Sequence, residues 1–100
     1  MASLHIQHPI TDLATWKAAF AGFAEQRQQA GVLSESVRHP VGDDRFVVID
    51  LEFSTADQAS AFLRFLQTVV WASNQASPAL AGTPDAKILE SVDVAAETSR

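Results

Sequence analysis

The sequence predicts an α+β domain: a ferredoxin-like βαββαβ antiparallel sheet with two helices on one face. Three observations predict it. The hydrophobic period alternates between two and three-to-four along the chain, in the order strand, helix, strand, strand, helix, strand. One segment, Phe46 to Phe53, is apolar on both faces, as a strand covered on both sides must be. The length of 100 residues suits one domain. With right-handed crossovers, that order places the first and third strands at the centre of the sheet.

Each element has its own warrant. Ser3 to His8 alternates, with Leu4 and Ile6 on one face and His5 and Gln7 on the other, and Pro9 ends it for want of a donor. Thr11 and Asp12 are helix N-cap types. Leu13, Trp16, Phe20, Phe23, Ala24 and Arg27 then recur at helical steps, predicting one helix of about five turns stopped by Gly31. Val32 to His39 reads as a strand with Leu33, Glu35, Val37 and His39 on one face. Pro40, Gly42, Asp43 and Asp44 supply a turn before Arg45 to Phe53, the strongest strand. Thr55 and Gln58 make a capping box, and Ala59, Phe62, Leu63, Leu66, Val69 and Val70 form a second helical stripe. Trp71 follows, with fraying over Ala72 to Gln75. Ser77 to Pro84 is a loop, Lys87 to Val94 the last strand, and residues 95–100 a loose tail to a single domain spanning 1–94.

Composition narrows the function. The seven Lys and Arg are scattered and outnumbered by twelve acids, for a formal charge of −5, which disfavours nucleic acid as a partner. The absence of cysteine removes disulfides, thiolate metal sites and a cysteine nucleophile. The N-terminal residues do not read as a signal peptide, and no stretch is apolar enough to span a membrane, so a cytoplasmic protein is expected. No nucleotide, flavin or metallohydrolase fingerprint occurs, and neither cofactor nor metal is expected.

Parity assigns the faces of the strongest strand. Val47, Ile49, Leu51 and Phe53 face the helices, leaving Phe46, Val48, Asp50 and Glu52 on the other side, where Leu89 joins them. A monomer would expose that apolar surface, so a second copy packed sheet on sheet is expected. Arg38 has the parity to form a cross-strand pair with Asp50.

Candidate chemistry is sparse. His5 and His8 are three residues apart on a strand, so they point to opposite faces and cannot share one metal. His8 and His39 end strands that run parallel and share helix-facing parity, about 10 Å apart across an intervening strand. That separation suits two titratable groups flanking one pocket, each able to act as acid or base. Trp71 offers an aromatic wall in the same layer, with Asn74 and Gln75 as polar groups. The plainer alternatives are two structural histidines and a tryptophan that caps the core. Trp16, on the first helix's stripe, reads as core.

The opening of the first helix, Thr11-Asp12-Leu13-x-x-Trp16-Lys17-x-x-Phe20, and the run Phe46-Val-Val-Ile-Asp-Leu-Glu-Phe53 before Ser54-Thr55-x-Asp57-Gln58 resemble the dimeric α/β-barrel superfamily. This superfamily includes antibiotic-biosynthesis monooxygenases, haem-degrading enzymes and stress-responsive proteins. The resemblance covers roughly residues 3–94 and implies a homodimer whose sheets close a barrel, with a pocket between helices and sheet. The haem-degrading branch fits poorly: Phe62 stands where its helix tryptophan falls, no histidine follows on that helix, and its first-strand asparagine is missing. What the resemblance implies is a cofactor-free monooxygenase-like enzyme for a small aromatic or polyketide-like molecule. His8 and His39 would be its catalytic residues, and Trp71 and Asn74 would line the substrate pocket. The alternative is a non-catalytic barrel that binds a small ligand or serves in stress.

Overall fold

The computed structural model describes residues 1–92. In chain order its elements are β1 (Ala2–Pro9), α1 (Leu13–Ala21), α2 (Ala24–Ala30), β2 (Ser34–Arg38), β3 (Phe46–Phe53), α3 (Ala56–Phe65), a π-helical turn (Leu66–Val70) and β4 (Asp85–Glu90). The strands form one antiparallel sheet in the order β2-β3-β1-β4, so the first and third strands are central as the pattern predicts.

The period-two alternation of β1 and β3 becomes alternate burial. Leu4, Ile6, Val47, Ile49, Leu51 and Phe53 pack with Trp16, Ala59 and Phe62 into one core between sheet and helices. Each Val, Leu, Ile or Phe among them contributes about 1.5–3 kcal/mol by leaving water. Their neighbours, including Phe46, Val48, Asp50 and Glu52, occupy the opposite face, which no helix among the described residues covers.

The caps foreseen from the sequence are present. The Asp12 carboxylate accepts from the Thr15 amide at 2.8 Å, which holds its pKa below the ordinary value. Thr55 and Gln58 form the reciprocal capping box of α3. Gly31 takes φ +96° at the end of α2, where a side chain would strain the backbone and its Cβ would meet Gln58 Nε2 at 2.7 Å. The Gln58 side chain therefore caps α3 and packs on the end of α2 at once.

Three expectations are corrected. The single first helix is two: the Gly22 amide is shared between the Ala18 and Ala19 carbonyls, and Phe23 leaves helical geometry at φ −108°, ψ 18°. Glycine's low helix propensity makes Gly22 a weak point, although the apolar spacing runs on across it. The second strand pairs only over Ser34–Arg38. Leu33 is still tethered by its amide to the Glu52 carbonyl, but Pro40 offers no donor beyond His39. The last strand begins and ends earlier than expected because Glu90 already pairs with Ala2, the first residue of β1, leaving nothing further to pair with. Val92 is exposed beyond it. Val94 and residues 95–100 lie outside the described residues.

The second helix does not simply fray. After Phe65 it widens into the π turn, where the Trp71 amide bonds the Leu66 carbonyl at 2.7 Å. Thr68 Oγ1 donates to the Arg64 carbonyl at 2.8 Å, drawing that acceptor out of the α-helical ladder. The following loop docks on the β1–α1 junction: Thr11 donates to Ala79, and Ala81 donates to Pro9.

Candidate functional site

A cavity lies where the sheet's core face, α1, α3, the π turn and the docked loop meet. Ile6, Ile49 and Leu51 form its floor. Trp16, Phe20, Phe23 and Phe62 form aromatic walls, and Val70, Trp71, Ala76, Ser77, Ala79 and Leu80 contribute the remaining side. Its volume is about 80 Å³. An apolar cavity of ~150 Å³ admits benzene, so a ring-sized ligand must displace a wall here. The π turn and loop are the least regular side of the cavity, and Trp71 stands on it. Local π geometry is often found at functional sites, and here it delivers Val70 and Trp71 to the cavity.

His8 stands in this mostly apolar lining, only 3% exposed. Its Nδ1 lies 3.0 Å from the Pro9 carbonyl. A carbonyl only accepts, so Nδ1 carries the proton. Burial pushes the imidazole pKa down, outweighing the opposing pull of the Pro9 carbonyl, and the ring is therefore neutral at pH 7. Nε2 is then a lone-pair acceptor with no hydrogen-bond partner among the described residues.

The lowered pKa has a sign that stability measurements can read. Below about pH 6.5 the unfolded chain protonates His8 while the folded chain resists, so stability falls as pH drops through that value toward the lower folded pKa. Above it both states are neutral and this contribution is flat. Urea unfolding across that range should show the acid-side loss in the native sequence and a shallower one in His8→Phe. Equal slopes would remove His8 as the buried, neutral group.

The sequence-predicted residues separate in the structure. His8 and Trp71 share the cavity. His39 does not: it is exposed, with Nδ1 bonded to the Pro40 carbonyl at 2.8 Å, in a shallow groove with Leu13, Lys17 and Arg38. The stacked Trp16 and Phe20 rings, 4.8 Å between centroids, line both spaces and partition them. Asn74 is exposed and outside the cavity lining, because the chain turns away after the π segment. The nearby polar group is instead Ser77, whose hydroxyl donates to the Ser73 carbonyl. Trp16 is buried in the core, as expected, and also forms cavity wall.

Sequence reasoning missed Arg27 as a site residue. It lines the cavity and is 6% exposed, paired with Glu35 at 2.9 Å. The available signal was a charged residue on an apolar stripe.

On the uncovered face, Asp50 binds two partners. Arg38 Nη2 donates to it at 2.9 Å, the expected pair, reached diagonally because Ser36 stands directly opposite Asp50. His5, directly opposite on β1, approaches the other carboxylate oxygen at 2.7 Å. Ser3 donates to Glu52 beside them. His5 and His8 thus lie on opposite faces. No cluster of three or more potential metal ligands occurs among the described residues, and none of their helices is long and apolar enough to cross a membrane.

No family model matches the sequence, and no curated protein matches it. Solved structures do share its fold. An antibiotic biosynthesis monooxygenase superposes with TM-score 0.67 at 12% identity, over 92% of this chain and 99% of that one. A monooxygenase of Streptomyces coelicolor, solved with the ligand nanaomycin D, gives 0.63 at 17% identity over 91% and 87% of the two chains. A dimeric ferredoxin-like protein from an uncultured marine organism gives 0.56 at 11%, over 88% and 94%. The chain therefore has the ferredoxin-like fold of the antibiotic-biosynthesis-monooxygenase-like proteins, and the resemblance read from its sequence holds at the level of fold.

Proposed function

We propose that the chain is a cofactor-free, monooxygenase-like enzyme acting on a small hydroxylated aromatic or polyketide-like molecule in the helix–sheet cavity. The observation that carries this reading is His8: a buried imidazole in an aromatic-walled cavity, its Nδ1 bonded to the Pro9 carbonyl so that Nε2 is left as the acceptor. Nε2 accepts the proton of a substrate hydroxyl, leaving an electron-rich aryloxide among apolar side chains. The aryloxide supplies the electrons for dioxygen. A ring methylene becomes a carbonyl, one oxygen atom enters the substrate, and the other leaves as water with the two hydrogens. Trp71 closes over the bound ring. The nanaomycin D complex of a monooxygenase with this fold supports a small-molecule ligand.

Oxygen uptake and product mass with labelled dioxygen test the reading on a panel of anthrone-like and quinol substrates. One labelled atom per product supports it. Tight binding that quenches tryptophan fluorescence with no uptake would favour the alternative, a ligand-binding barrel. That alternative draws support from the cavity's lack of any acid–base pair.

The assembly we propose is a homodimer packed through the uncovered sheet face. Phe46, Val48 and Leu89, the last 43% exposed, supply apolar surface there. The Arg38–Asp50–His5 and Ser3–Glu52 contacts satisfy much of the polar surface within the chain, so a partner can cover it at reduced desolvation cost. A dimeric protein of this fold supports the reading. Sedimentation should give a dimer at micromolar concentration, and Val48→Lys, which sets a second cation beside Arg38, should shift it to monomer. A native chain sedimenting as a monomer would sink the dimer.

A further inference from the structure

The cavity has a charged member that the proposed chemistry leaves idle. The break at Gly22 and Phe23 starts α2, and Arg27 extends from it into the cavity wall. Its guanidinium carbon lies 3.7 Å from the centroid of the Phe20 ring. Nε donates to Glu35 Oε1 at 2.9 Å and Nη1 to the Phe20 carbonyl at 2.6 Å, while Nη2 reaches Glu35 Oε2 only at 3.5 Å. A guanidinium carries five N–H donors. One hydrogen on each terminal nitrogen therefore has no acceptor among the described residues. Each guanidinium nitrogen thus has one partner, and the side chain, only 7% exposed, lines the cavity, where a ligand acceptor can take the spare donors.

Charge decides what kind of acceptor suits these donors. Glu35 already balances the cation. A ligand carboxylate at Arg27 would meet the Glu35 carboxylate across the same guanidinium, and like charges this close oppose each other. A neutral carbonyl oxygen accepts the same hydrogen bonds without that opposition.

We propose that Arg27 determines the cavity's specificity: it selects ligands that present a neutral carbonyl oxygen, and Glu35 excludes those that present a carboxylate. The inference rests on the cavity being the ligand site. It defines the acceptor end of the ligand, as His8 defines the hydroxyl end.

Three matched one-ring probes test it on the intact chain by tryptophan fluorescence or calorimetry at neutral pH: para-hydroxyacetophenone, para-ethylphenol and para-hydroxybenzoate. All carry the phenol for His8 and differ only at the other end. The ketone should bind about tenfold more tightly than the ethyl compound, the scale of one hydrogen bond to a charged donor, and about tenfold more tightly than the carboxylate. Glu35→Gln keeps an acceptor for Arg27 and removes the opposing charge, so the carboxylate should overtake the ketone. Arg27→Met should erase the ketone's advantage over the ethyl compound. Glu35 is 42% exposed, so Glu35→Gln tests the proposal even if Arg27→Met does not fold. A purely structural ion pair would lower stability in both variants and leave the affinity ratios unmoved. Binding with unmoved ratios overturns the role of Arg27 and Glu35 alone. Failure of all three probes to bind overturns the cavity reading and this inference with it.

Discussion

His8→Phe should reduce turnover by about 10²- to 10⁴-fold, the range for losing a positioned general base. Phenylalanine keeps a flat ring on the wall but has no lone pair to accept the substrate proton. Affinity for hydroxyaryl ligands should change far less, because aromatic contacts with Trp16, Phe20 and Trp71 remain. The loss should therefore appear in kcat with KM little changed. If the proposed chemistry holds, kcat of the native sequence should rise with pH through the lowered pKa of His8 and level off above it, since only neutral imidazole can accept. His8→Gln, which retains a hydrogen-bonding group but cannot be protonated near neutrality, should be as inactive as His8→Phe. Turnover within threefold of the native value in both variants would end the assignment of His8 as base.

Phe53→Ala should cost about 3–5 kcal/mol. Phe53 is wholly buried at the end of β3, its ring 6.1 Å from that of Phe62. Truncation removes the transfer energy of the ring and leaves a hole between a central strand and α3 that a close-packed core fills poorly. A domain of this size has roughly 5–15 kcal/mol in total, so the variant should sit near its unfolding threshold at ordinary temperature. Urea midpoints with unchanged slope measure this. Phe46→Ala, on the same strand but the opposite face, is the control. It should cost less than about 1.5 kcal/mol to the isolated subunit and act mainly on dimerisation. Equal costs at the two positions would mean that the faces of β3 are misassigned.

That contrast between Phe53 and Phe46 was legible from sequence, because alternation on a strand depends on nothing beyond the strand itself. The same parity placed His5 and His8 on opposite faces and paired Arg38 with Asp50. Trp71 was found because a large aromatic at the end of an amphipathic helix has few places to go. His39 and Asn74 were drawn to the cavity by correct parity or proximity in sequence. The stacked Trp16 and Phe20 rings, however, wall off the first, and the π turn directs the chain away from the second. Arg27 was visible as an anomaly on its stripe. The break at Gly22 and Phe23 that starts its helix was concealed by the continuing apolar spacing.

The sequence by itself determined the sheet, its strand order, the face each strand residue takes and the helix caps. These follow from local periodicity and from hydrogen bonds spanning a few residues. Only the tertiary structure decided which polar groups share the cavity: His8 with Arg27, not His8 with His39. Membership of a cavity depends on where a helix breaks and where a loop docks. Those depend on packing between residues distant in sequence, for which no short-range pattern exists.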